Sequence, residues 1–445
     1  MNCLNTEKWR KIDDFFFTYL YKDKKLLIQT YPFKVYSLGK AYLKNSLTQI
    51  IKELKKEKPS AISPGRYYLP LFIGTTNCNF RCKYCYAYNG SYGAILLNMR
   101  KSVIGKTINF ITKKMEKLAK ENTKKEIELA AVFFGGESLL NFEGVKYLTK
   151  KIKEAACYLS KNGQTKFKPL VIINTNGSLF YGKILEFIKE NKENLELVIS
   201  FDGLHHDKYR LSAQEKPTSD RVIEGIQKIK KIGVKFAIGC CEPPDEIENV
   251  DANIKYITNL FGKDTEINLA FIRGPIPSVK IKARYPGILE SQYTNNSLKI
   301  FGEKVASLIR KGYVIFSRRF FNRIKEGGYL WRCPAALYEF CVFPNGDIYP
   351  CHNFISDDFK LGNVFEKNLN LLKKRQILKK FIKRSVNKIS CKNCVFQTVC
   401  LSSFDCPSHS YYDLGNFERV DQRTCIAAKI IMEALFEKFL DEQGA

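Results

Sequence analysis

The stretch that decides the fold is LPLFIGTTNCNFRCKYCY, residues 69–86. Its opening, Leu69–Ile73, is a short apolar run of the kind that forms a buried strand, and it gives way to the polar pair Thr76-Asn77. Then comes Cys78-x3-Cys82-x2-Cys85, with the aromatic Tyr84 just before the last cysteine. Three thiolates on one loop can hold three irons of a cubane and leave the fourth open for an exchangeable ligand, as a reactive metal site requires. A structural zinc site would want a fourth Cys or His close by, and none lies within twenty residues.

Outward from this loop the pattern of strand, loop and helix repeats. Apolar runs at Ala130–Phe134, Leu170–Ile173, Leu195–Ser200, Lys235–Gly239 and Ile267–Ile272 are separated by Lys-rich helical stretches. Six such units predict an α/β fold, a partial (β/α)6 TIM-like barrel with its chemistry at the carboxyl ends of the strands. The polar motifs fall at those ends. Gly135-Gly136-Glu137 closes the second strand, Asn174-Thr175-Asn176-Gly177 the third, and Ser200-Phe201-Asp202-Gly203 the fourth, followed by His206-Asp207 and Arg210.

Before the barrel, two aromatic-rich runs, Phe15–Tyr21 and Leu26–Tyr36, are joined by the charged residues 22–25 and predict a hairpin. A helix of about Lys40–Glu57 follows, and Pro59, Pro64 and Gly65 mark a boundary. The expected domains are an N-terminal hairpin-helix element over 1–65, the barrel over 66–275, a bridging helical region over 276–330, and a Cys-rich iron–sulfur domain over 331–445. The helix Tyr293–Lys311 lies in the bridging region.

The chain has 445 residues and 15 cysteines, with no apolar run near the roughly 18 residues of a membrane span and no secretory pattern at Met1–Arg10. That combination predicts a cytoplasmic protein whose cysteines bind metal rather than pair as disulfides. Eight cysteines lie between Cys333 and Cys425, while Cys3, Cys157, Cys240 and Cys241 read as ordinary thiols. The net charge of +28 is spread as lysine over solvated helix faces. Three cubanes of about +2 on eleven thiolates would lower it by roughly five units. The remaining positive field suits an acidic peptide or an acidic electron donor such as a flavodoxin or ferredoxin. No helix-turn-helix, zinc finger or aromatic ribonucleoprotein signature speaks for nucleic acid.

The cysteine loop, with the glycines of the next strand, resembles the radical S-adenosylmethionine (SAM) superfamily. The resemblance implies SAM as cofactor, its methionine moiety chelated by the open iron, and a 5′-deoxyadenosyl radical as the reactive species. It casts Cys78, Cys82 and Cys85 as the catalytic cluster ligands, Tyr84 against the adenine, and Gly135, Gly136 and Glu137 at the cofactor's ammonium. Asn176 stands on the same rim, Ser200 contacts the carboxylate or ribose, and Arg221 pairs with the carboxylate.

The C-terminal spacing is Cys333-x7-Cys341-x9-Cys351, then Cys391-x2-Cys394-x5-Cys400-x5-Cys406, then Cys425. Eight cysteines make two sets of four. With twelve residues between Cys333 and Gly346 and four more before Cys351, the run resembles the SPASM extension of the same superfamily, which implies two auxiliary [4Fe-4S] clusters and three in all. By that resemblance Cys333, Cys351 and Cys406 serve the nearer cluster and Cys391, Cys394, Cys400 and Cys425 the outer one. Two departures stand out: five residues rather than three separate Cys400 and Cys406, and Cys341 lies outside the core motif. Members with this extension modify peptides or proteins. The resemblance thus implies a maturase acting on a ribosomally made precursor peptide, by thioether crosslinking, with an anaerobic sulfatase-maturing oxidase or a carbon–carbon crosslinking or epimerising maturase as alternatives. The N-terminal hairpin would be a leader-peptide clamp or a barrel cap.

Overall fold

A computed structural model describes residues 8–13, 15–22, 24–30, 33–38, 44–55, 69–121, 126–272, 292–325, 327–328, 333, 335, 339–371, 376–377, 391, 394–401, 406–412, 414–417 and 419–443. The boundary residues Pro59, Pro64 and Gly65 lie outside this set, as does all of 273–291. The chain divides into two compact units, one of Met1–Pro64, Tyr293–Cys333 and Ile382–Ala445, the other of Gly65–Gln292 and Pro334–Phe381.

In the first unit, β1 (Trp9–Lys11), β2 (Phe16–Tyr21), β3 (Lys24–Thr30) and β4 (Phe33–Leu38) form an antiparallel sheet in chain order. The expected hairpin is there as β2 and β3, with Phe17 opposite Ile28. The run Leu26–Tyr36 holds two strands rather than one, because Pro32 falls in its middle and has no N–H to give a ladder. The helix expected near 40–57 spans Lys44–Leu54.

Both faces of β2 are buried, and the C-terminal helix Gln422–Glu442 explains it. Trp9 stacks on Tyr19 at 4.0 Å between ring centroids, and both rings lie against Phe436 of that helix. Glu433 accepts the Trp9 indole N–H (2.8 Å). Glu437 accepts from the Tyr19 hydroxyl (2.9 Å), the Lys8 ammonium (3.0 Å) and the Arg310 guanidinium (2.7 Å). Burial pushes the Glu437 carboxyl up, but Arg310 and Lys8 hold it below its ordinary value. The first residues of the chain thus share a core with the last. The helix Asn295–Arg310 joins them through Gly302, where a Cβ would come to 3.0 Å from the Ala427 backbone.

In the second unit, all six expected strands form: β5 (Leu69–Thr75), β6 (Glu126–Gly135), β7 (Lys166–Thr175), β8 (Leu195–Ser200), β9 (Lys235–Glu242) and β10 (Glu266–Phe271). They pair in parallel in the order β10-β9-β8-β7-β6-β5, an open barrel-like sheet. Helices such as Lys101–Glu121, Phe142–Lys161, Ser219–Ile232 and Val250–Phe261 follow the strands and bury one face each. Past β5 the sheet continues with β11 (Glu339–Val342), β12 (Asp347–Tyr349) and β13 (Gly362–Asn363). β11 runs parallel to β5, so the hairpin around Asn345-Gly346 extends the barrel sheet although the paired residues of β5 and β11 lie 270 positions apart in the chain. No helix among the described residues is long and apolar enough to cross a membrane.

Candidate active site

The site is built at the carboxyl end of β5. Its last residues turn into the cysteine loop, and the end of β6 supports it from beneath. Gly136 N–H donates to Thr75 O (2.9 Å) and Glu137 N–H to Asn77 O (2.8 Å). Such an approach needs glycine: a Cβ on Gly136 would stand 2.0 Å from Asn77 O, and Gly135 adopts φ of +137° with Thr75 O 2.4 Å from its missing Cβ.

Glu137 is fully buried and braces three elements. Its carboxylate accepts from Leu139 N (3.0 Å), Thr175 Oγ1 (2.6 Å) and Asn176 N (2.6 Å). Burial raises this carboxyl above its ordinary value although those donors pull the other way. Asn176 donates to Asn79 Oδ1 (2.8 Å), and Asn79 donates to Ser178 Oγ (2.9 Å), which ties the third strand end to the cysteine loop. Asn79 was not singled out in the sequence; its only signal is its place directly after Cys78.

The other side of the loop leans on the segment after β8. Asp202 is fully buried and takes the Arg210 guanidinium in a two-pronged pair, Nε to Oδ2 at 2.8 Å and Nη2 to Oδ1 at 3.1 Å. It also accepts from Cys241 N (3.0 Å) and from the Tyr84 hydroxyl. Burial pushes Asp202 up, but the Arg210 charge outweighs it and holds the carboxyl below its ordinary value. The Arg210 guanidinium lies 5.3 Å from the Tyr84 ring centroid. His206 Nδ1 accepts from Asp202 N (3.2 Å) and its Nε2 lies 3.1 Å from Thr218 Oγ1, so the ring is neutral, and burial brings it down to about 4.

Ser200 ends β8, partly buried. Arg221 is exposed in the first turn of Ser219–Ile232, its guanidinium 5.7 Å from the Tyr181 ring centroid. Thus Cys78, Cys82, Cys85, Tyr84, Gly135, Gly136, Glu137 and Asn176 lie on interlocked segments, while Arg221 makes its described ring contact elsewhere.

One further group has metal-ligand chemistry. His205, Cys240 and Glu242 are buried with ligand atoms within 4.8 Å of one another. However, His205 Nε2 is 2.9 Å from the Cys241 carbonyl, which can only accept, so that nitrogen carries its proton and is no metal ligand. Cys240 Sγ is 3.2 Å from Glu242 Oε1, Asn253 donates to both, and burial pushes Glu242 up to about 8. This is a buried, hydrogen-bonded cluster.

Of the later cysteines, Cys341 sits fully buried inside β11, and Cys351 follows the end of β12. His352, next to Cys351, packs on Phe134 (5.0 Å) and Tyr86 (5.9 Å), and its Nδ1 meets no hydrogen-bond partner among the described residues. Neither Tyr86 nor His352 was singled out in the sequence, since their approach depends on β11 pairing with β5. In the other unit, Cys394 N–H donates to Cys391 O (3.0 Å), Cys406 Sγ lies 3.0 Å from Ser408 Oγ, and Cys425 is in the first turn of the C-terminal helix.

The first loop fits an iron–sulfur cluster. Burial pushes the Cys78 thiol up to about 12 and raises Cys82 too, and a thiol so hindered becomes a thiolate when a metal displaces its proton. Phe80 N–H lies 3.4 Å from Cys78 Sγ, an amide donor of the kind that supports cluster sulfur.

Comparison with known proteins agrees. Residues 72–252 match the radical SAM superfamily, and residues 333–395 match SPASM, an iron–sulfur cluster-binding domain. The cysteine-type anaerobic sulfatase-maturating enzyme of Clostridium novyi (strain NT) is 26% identical over 347 residues, covering 74% of this chain and 85% of that one. The serine-type anaerobic sulfatase-maturating enzyme of Bacteroides thetaiotaomicron is 24% identical over 364 residues, covering 75% and 81%. Among solved structures, native anSMEcpe with bound AdoMet and Cp18Cys peptide has a TM-score of 0.65 at 20% identity, covering 84% of this chain and 99% of that one. Streptococcus suis SuiB bound to precursor peptide SuiA has a TM-score of 0.52 at 14% identity, covering 93% and 99%. Both share the fold.

Proposed function

The chain is a radical SAM enzyme with a SPASM iron–sulfur extension, and from that premise we propose that it oxidises a cysteine or serine side chain of a peptide or protein, a reading supported by its similarity to enzymes named cysteine-type and serine-type anaerobic sulfatase-maturating. The observation that carries this reading is the similarity to the Clostridium novyi enzyme, which runs through 85% of that protein. The reading replaces thioether crosslinking as the leading expectation.

When bound, the cluster and SAM would supply the radical chemistry of the reaction. The chain's own residues do the holding. Cys78, Cys82 and Cys85 would carry the cluster; Gly135 and Gly136 would let backbone approach the cofactor's amino acid moiety; Asn176 and Ser200, at the ends of the third and fourth barrel strands, would offer polar groups on that rim, whereas Arg221 lies exposed against Tyr181 and is not assigned to it. Glu137 keeps the ends of β6 and β7 together, with its oxygens engaged by Leu139, Thr175 and Asn176. Eight further cysteines suffice for two auxiliary clusters, three in total. Cys341 is taken as one of their ligands: Tyr349 pairs with Cys341, and Cys351 follows two residues later on the same alternation. The cytoplasm, where reduced clusters and a flavodoxin or ferredoxin coexist, suits this chemistry.

The test is anaerobic incubation of the reduced, cluster-loaded enzyme with SAM and paired Cys- and Ser-containing sulfatase-derived peptides. Conversion of either residue to an aldehyde, captured by a hydrazide and located by mass spectrometry, is the expected result. Release of 5′-deoxyadenosine with both peptides unchanged would refute this substrate class.

A second reading, modification of a ribosomally made precursor peptide, draws on the N-terminal sheet. Among the described residues β4 ladders with β3 alone, with Phe33 N–H also donating to Gly327 O, and an extended peptide could add to the rest of its other edge. Crosslinked product from a Cys-rich precursor, with no aldehyde from sulfatase peptides, would favour it.

A further inference from the structure

The cysteine loop is held by a short ladder that the sequence does not announce. Arg81 N–H donates to Leu211 O (2.7 Å), Lys83 N–H to Tyr209 O (2.9 Å), and Ala213 N–H to Asn79 O (3.0 Å). Phe80 and Ser212 form an antiparallel bridge. All four contacts obey one register, and in that register the residue directly across from Cys82 is Arg210.

Arg210 is held in place there. Its backbone N–H donates to His206 O (2.7 Å), and its carbonyl accepts from Thr218 Oγ1 (2.6 Å). Its buried guanidinium is fixed by the fork to Asp202, lies over the Tyr84 ring, and stands 3.8 Å from Cys241 Sγ. A guanidinium does not lose its proton in a protein, so this is a permanent positive charge in a site of low dielectric.

A cubane core of about +2 on three thiolates carries about −1, and one added electron takes it to about −2. A fixed cation beside one of those sulfurs favours the second state. We propose that Arg210 is a positioning residue for the radical cluster that raises its reduction potential, facing Cys82 across the ladder while Asp202 both orients the guanidinium and moderates its charge. The inference concerns only the electron accepted at the Cys78–Cys85 loop and holds whichever peptide is the substrate.

The experiment is a redox titration of the anaerobic holoenzyme followed by electron paramagnetic resonance, reading the signal that changes when SAM is added and so isolating the cluster with the open iron. In Arg210→Gln the equilibrium for accepting the electron should fall tenfold or more, about 59 mV for one electron. Arg210→Lys should keep most of the potential. Asp202→Asn, which leaves the guanidinium uncompensated, should move the potential in the opposite direction. A role in folding alone would lower iron loading in all three variants without displacements of opposite sign. Arg210→Gln that loads iron and titrates at the wild-type potential overturns the proposal. If Arg210→Gln does not load iron, Asp202→Asn decides alone: a potential at or below wild type overturns it, and a higher one supports it.

Discussion

The two cysteine regions of this chain are built in different ways. At the end of β5, three cysteines sit within eight residues on one loop, and that loop is braced on both flanks by neighbouring strand ends. Between Cys333 and Cys425, eight cysteines are spread over 93 residues, and they fall in two compact units, Cys341 and Cys351 in one and Cys333, Cys391, Cys394, Cys400, Cys406 and Cys425 in the other. Where ligands are adjacent in the chain, spacing already selects the metal group. Where they are far apart, the ligand set depends on how distant segments fold, and residue counting alone leaves it open.

Replacing Cys78, Cys82 and Cys85 together by alanine breaks this comparison most severely. It should remove about four irons of about twelve and abolish deoxyadenosine formation, measured by iron assay and chromatography. Retained SAM cleavage would transfer the reactive site to the other region. Gly136→Ala tests the brace rather than the ligands. Its Cβ would meet Asn77 O, one residue before Cys78, and the displaced loop should cleave SAM about 100-fold more slowly. Wild-type turnover in that variant would mean the close approach is dispensable.

Cys341→Ala sharpens the second half of the comparison. With Cys341 as a ligand, an auxiliary cluster should become labile and bound iron should fall by up to about four per chain. Unchanged iron and Mössbauer spectra would make Cys341 a buried core thiol in β11. The smallest effect concerns His206, beside the Asp202–Arg210 pair. Its folded-state pKa of about 4 lies below the ordinary value of 6.5. The unfolded chain therefore binds the extra proton first, and this contribution is fully present above about pH 6.5 and lost as pH falls through about 4. Urea unfolding should show about 3 kcal/mol less stability at pH 4 than at pH 7 from this group. His206→Gln should flatten that part of the profile, and an unchanged slope would rule the assignment out.

Much of the barrel was legible because its determinants are local. Each expected strand is a short apolar run closed by a polar turn, and parallel strands with helical crossovers leave few topologies open. The close backbone approach at Gly135-Gly136 was legible for the same reason, and the spacing of Cys78, Cys82 and Cys85, on which the proposed cluster rests, is equally local. The N-terminal sheet was only half read. Its hairpin followed from alternating aromatics, but its second burial face comes from Trp9, Tyr19 and Tyr21 meeting Phe436, Glu433 and Glu437 more than 400 residues away.

By itself, then, the sequence determined the class of chemistry, the cluster loop and the strand order of the barrel, since these depend on residues a few positions apart. Tertiary structure alone decided that β11 extends the barrel sheet beside β5, that Glu137 spends its oxygens on Leu139, Thr175 and Asn176, and that Arg210 stands across from Cys82. The first and last of these rest on backbone pairing between remote segments, and such a bond leaves no trace in side-chain pattern because every residue except proline offers the same N–H and C=O; the Glu137 contacts depend on the ends of the second and third barrel strands meeting.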